Sequence, residues 1–142
     1  MSRTARTGPS LSIPAVATLT TDAVTNGASV QNNSWSGPGS PQSYTSREAS
    51  YDAAVRDADS ATAALEPLTI VFAASNDGGL PATLGDPSGA KNLITVGNSL
   101  NRRVGTGLAS DDIRGIKGSS SRGPASGGPL RSSCVCVPNA GA

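Results

Sequence analysis

A chain of 142 residues is about one domain's worth, and its net charge of +1 gives no electrostatic case for nucleic acid or a membrane surface as partner. It contains no histidine, which removes the usual general base and the commonest metal ligand. No stretch is apolar for long enough to cross a bilayer, and the four aromatics (Trp35, Tyr44, Tyr51, Phe72) leave any core to Val, Ile, Leu and Ala.

Residues 1–12 read as a disordered N-terminal segment. They carry basic residues with no apolar stretch behind them, so they form no secretory signal. Pro14 suits a first helical position, and Val16, Leu19 and Ala23 share one helical face. Asn26-Gly27 supplies a left-handed stop, which predicts a helix over 14–25. A short strand is expected over 29–33, then a loop from Ser36 to Pro41. Thr45-Ser46-Arg47-Glu48 matches a capping box, and Tyr51, Val55 and Ala58 mark a face, so a helix is predicted over 46–58. A second helical piece is expected over 61–65, ended by Glu66-Pro67.

The strand from Leu68 to Ala74 has the strongest signal in the chain, apolar on both faces as a central parallel strand should be. It delivers Asn76 to a rim, with Gly78-Gly79 beyond. A fixed amide there can either hold a turn together or aim a donor at a reacting oxygen. A long loop over 78–90 precedes a neighbouring strand over 93–97. Residues 101–118 read as a polar excursion. The tail over 125–142 is irregular apart from a possible last strand at Cys134–Val137. Cys134 and Cys136 would share a strand face. Their spacing makes neither a disulfide framework nor, alone, a zinc site.

This order predicts an α/β fold, a parallel sheet flanked by helices on both faces. Such sheets bind ligands beyond the carboxyl ends of their strands, where Ser34-Trp35-Ser36 and Ala73-Ala74-Ser75-Asn76 both lie. No glycine-rich phosphate turn follows a strand and opens a helix, which argues against a nucleotide-binding domain.

Five segments occur in a telling order: Gly27 to Trp35, Tyr51 to Asp57, Ile70 to Gly78, Ala90 to Gly97, and Ser120-Ser121-Arg122-Gly123-Pro124. Together, over about residues 11–124, they resemble the middle of a subtilisin-like serine peptidase (the subtilase family), with spacing most like its alkaline, oxidatively stable branch. The resemblance implies an incomplete three-layer α/β sandwich over 13–124, a partial catalytic domain. It also implies an Asp, His, Ser triad in that chain order. No Asp or Ser here sits in a triad motif, so the slice would fall after the catalytic His and before the nucleophile.

By the same resemblance, Asn76 matches the oxyanion-hole asparagine, and Ser34, Trp35 and Ser36 match a substrate-binding wall. Ala73, Ala74 and Ser75 match the facing wall, the two together holding an extended peptide or protein substrate by strand addition. The bland alternatives are a loop asparagine bonding its own backbone and a partly buried tryptophan. The family has Gly where this chain has Ser36 and Ser75, and the tail after Pro124 only faintly echoes the family's. No cofactor is expected in this chain. Calcium is possible in the parent family, with Asp77, Asp86, Asp111 and Asp112 as oxygen donors of no defined spacing. The resemblance implies a secreted or extracellular parent. The expected function is that of an endopeptidase fragment, inactive alone and only marginally able to fold. The alternative is a non-catalytic peptide-binding domain derived from the same fold.

Overall fold

The computed structural model describes residues 12–37, 44–100 and 115–125, and the backbone of 133–138. Helix α1 (Val16–Thr25) opens it. Its end follows from Asn26-Gly27: Gly27 takes φ +82°, its N–H donates to the Val24 carbonyl (2.9 Å), and the Ala28 N–H donates to that of Ala23 (2.9 Å). The left-handed glycine thus satisfies two carbonyls that would otherwise be orphaned. Strand β1 (Val30–Asn33) follows.

Helix α2 (Ser46–Ala54) starts on the expected capping box. The Glu48 N–H donates to Thr45 Oγ1 (3.4 Å) and the Thr45 N–H to Glu48 Oε2 (2.6 Å). It stops four residues short of the predicted end, because the Ala58 N–H goes instead to the Glu66 carbonyl and the Leu68 N–H to that of Val55. The piece expected over 61–65 is turn and bend. The Asp59 carboxylate accepts the Ala61 N–H and competes with helical pairing.

Strands β2 (Thr69–Ala73), β3 (Ile94–Ser99) and β4 (Ser133–Pro138) complete a four-stranded sheet in the order β1-β2-β3-β4. Every pairing is parallel, with Asn33 opposite Phe72, Phe72 opposite Thr95 and Thr95 opposite Cys134. β3 runs two residues beyond its predicted end, paired to β4 as far as Ser99 and Pro138.

β2 is not equally buried on both faces. Ile70 and Phe72 are fully enclosed, whereas Val71 and Ala73 are only half-buried and Thr69 is exposed. Both described helices lie against one face, and no second helical layer covers the other among the described residues. The core on the covered face joins Tyr51, Ala54 and Ala58 to Leu68, Ile70, Phe72, Ala90 and Leu93, with Val16, Ala23, Val24 and Trp35 packed at its edge. Phe72 sits between Tyr51 and Trp35, edge-on to both, at centroid distances of 5.0 and 5.1 Å. Burying such a side chain contributes about 1.5–3 kcal/mol, which makes this trio the pin between α2 and the carboxyl ends of β1 and β2.

Candidate functional site

The crevice is built where β1 and β2 end side by side. Past Asn33 the chain exposes Ser34 and Ser36 and half-buries Trp35. Two side-chain bonds aim this wall. Asn33 Nδ2 donates to the Val71 carbonyl (3.4 Å), and Trp35 Nε1 donates to Asn33 Oδ1 (3.3 Å). The indole is therefore fixed between the core and the rim.

Past Ala73 the facing wall turns sharply. Ala74 is buried. Its N–H donates to the Val96 carbonyl (2.9 Å) and its carbonyl accepts the Gly85 N–H (3.1 Å). Ser75 takes φ +88°, a left-handed conformation uncommon outside glycine, and its Oγ donates to Asp77 Oδ2 (2.7 Å). Asn76 then stands exposed at the rim, its side chain hydrogen-bonded to no other described residue. An asparagine amide carries two N–H donors and one acceptor, the groups that either a turn or a bound oxygen would call on.

A third segment, expected from the sequence as loop with Asp86 as a possible oxygen donor, lies between the two walls. The Gly37 N–H donates to the Asp86 carbonyl (2.8 Å). A Cβ placed on Gly85 would come within 2.8 Å of Ser36 Cβ and 2.9 Å of Ser75 Cβ. Ser36, Gly85 and Ser75 thus stand in contact across the crevice, and only a residue without a side chain fits between the serines. The two departures from the family's glycines meet at this one spot.

Arg47 Nη1 pairs with Asp86 Oδ2 (2.6 Å), and Thr45 Oγ1 donates to Asp86 Oδ1 (3.3 Å), so the start of α2 holds this third segment in place. On the other side of Trp35 and Ser36 lies a cavity of about 430 Å³, lined by Ile13–Val16, Trp35–Gly37, Arg47 and Tyr51. The Tyr51 hydroxyl is buried without a hydrogen-bond partner among the described residues, and burial pushes its pKa up to about 12.

Two of the carboxylates considered as calcium donors have partners within the chain. The Asp86 carboxylate is taken by Arg47 and Thr45, and Asp77 accepts from Ser75. No group of three or more potential ligands forms among the described residues, and Asp111 and Asp112 lie outside them. Cys134 and Cys136 occupy alternate positions of β4, opposite Thr95 and Gly97.

No curated protein matches the chain. Among solved structures, 43 chains match. The prenylagaramide maturation protease PagA is 18% identical at a TM-score of 0.56, over 92% of this chain and 39% of that one. Sphericase is 17% identical over 75% of this chain and 29% of its own, at a TM-score of 0.44. The chain therefore spans well under half the length of these proteins, and at such identity the first likeness speaks for the fold alone. The family model described as the subtilase family matches residues 2–138, nearly the whole sequence, and the chain belongs to that family.

Proposed function

We propose that this chain carries the oxyanion-hole asparagine and the substrate-groove walls of a subtilisin-like serine endopeptidase, of the alkaline, oxidatively stable kind. The single observation that carries this reading is Asn76, exposed and unengaged by described residues at the carboxyl end of β2, beside the wall that follows β1. Acyl transfer puts negative charge on the carbonyl oxygen of the scissile bond. A fixed side-chain N–H aimed at that oxygen binds the transition state more tightly than the ground state. Ser34–Ser36 and Ala73–Ser75 would flank an extended peptide from either side, leaving the reacting carbonyl within reach of Asn76.

The chain has no histidine, and so brings no triad base of its own. Peptide-bond hydrolysis through an acyl-enzyme would then need groups that it does not contain. We expect no hydrolysis of casein or of a peptide anilide by the isolated chain, and no covalent labelling by a serine-directed phosphonate. Stoichiometric labelling of one serine would overturn this reading. The cavity beside Trp35 favours a second reading, a peptide-binding domain without chemistry. Saturable binding of an extended peptide in calorimetry, lost in a Trp35→Ala variant that still folds but unchanged in Asn76→Ala, with no labelling, would select it.

A further inference from the structure

A donor amide is useful to an oxyanion only if the turn carrying it cannot drift, and Asn76 lies on an exposed turn. What grips that turn is a buried residue 45 positions downstream of it. The Ser121 N–H donates to the Ser75 carbonyl (3.1 Å), and Ser121 Oγ accepts the Asp77 N–H (3.0 Å). One residue, 2% exposed, thus ties down the residue before Asn76 through its backbone N–H and the residue after it through its hydroxyl.

The neighbouring ties lie further away. The Gly78 N–H reaches the Ser119 carbonyl (3.2 Å), the Thr83 N–H that of Arg122 (2.8 Å), and the Ala82 N–H that of Gly123 (3.2 Å). Ser120, next in sequence and equally buried, faces another way and accepts the Asn98 N–H (3.0 Å) at the far end of β3. The two adjacent serines therefore divide the labour, one on the β3 terminus and one on the Asn76 turn.

We propose that Ser121 is the positioning residue for Asn76, holding its amide in the orientation an oxyanion requires. The inference rests on the oxyanion reading of Asn76. Its physical basis is preorganisation: fixed dipoles stabilise developing charge without reorganising when the reaction occurs. Removing the hydroxyl leaves the Asp77 N–H without its acceptor and frees one side of the turn.

The test is nuclear magnetic resonance on the full chain. In Ser121→Ala, exchange of the Asp77 amide should speed by about tenfold, the equivalent of one lost hydrogen bond. The Asn76 side-chain amide should lose order in ¹⁵N relaxation. Ser121→Thr, which keeps the hydroxyl, should restore both. Ser120→Ala should leave both unchanged even where it costs comparable stability. If Ser121→Ala does not fold, Ser121→Cys, a poor acceptor of similar volume, takes its place with the same expectation. Unchanged Asn76 and Asp77 signals in the Ser121 variant, or equal changes in Ser120→Ala, would overturn the proposal. A separate arm checks the reading beneath it. A peptide phosphinate, whose anionic oxygen stands for the oxyanion, should bind more weakly to Asn76→Ala. Unchanged affinity there would remove the oxyanion role, while the resonance data would still decide whether Ser121 orders Asn76.

Discussion

Ser75 concentrates the local conflict in this site. Its φ of +88° brings Cβ close to the backbone, at a cost of about 1–2 kcal/mol relative to an unstrained residue. The Oγ bond to Asp77 offsets part of this, since a hydrogen bond contributes about 0.5–1.5 kcal/mol net. Ser75→Gly should therefore stabilise the fold by about 0.5–1 kcal/mol, read as a higher urea midpoint from the fluorescence of Trp35, the chain's one tryptophan. A lower midpoint would mean that the bond to Asp77 outweighs the strain. The expectation of glycine at this position came from the family resemblance, and the backbone supplies its reason. Ser36 differs, with no left-handed backbone, and its Cβ matters through Gly85 instead. Asn76 at a strand end was legible from an apolar run followed by a polar amide. Gly85 and Ser121 were not, because their roles depend on contacts across a loop that no local pattern encodes.

Elements were legible where local chemistry decides them. The Asn26-Gly27 stop and the Thr45–Glu48 box both form as their residues dictate. Where tertiary pairing competes, the pattern misled: α2 ends early because Ala58 pairs with Glu66, and β2 alternates in burial because the described helices cover only one face. The α2 start is thus the place where an element's stability and the site's geometry meet. Thr45 caps the helix, and its hydroxyl also donates to Asp86 of the crevice's third segment. Thr45→Ala should cost about 1 kcal/mol, while Thr45→Ser, which keeps both bonds, should cost much less. Urea unfolding of the two variants side by side checks this, and equal losses would show that the methyl, not the hydroxyl, is what counts.

Across the whole molecule, the aromatic trio joins helix layer, sheet and crevice, and it makes the fold sensitive to alkali. Burial holds the Tyr51 phenol at about 12, and the hydrogen bond donated to the Asp52 carboxylate, with some desolvation, raises Tyr44 to about 12. Both values lie above the ordinary 10.0 that the unfolded chain would show. Between the two the native state binds more protons than the unfolded state, so stability falls as pH rises. The contribution is complete below pH 10 and is lost as pH climbs through about 12. Tyr44 is 42% exposed, so solvent screens its share and the buried Tyr51 dominates. Urea midpoints should hold steady up to about pH 10 and then decline toward pH 12, in step with phenolate absorbance. Tyr51→Phe should flatten most of that decline. It should also leave the neutral-pH midpoint equal or higher, because it deletes a buried hydroxyl that has no partner among the described residues. A variant that declines as steeply as the parent would place the alkaline sensitivity elsewhere than at Tyr51.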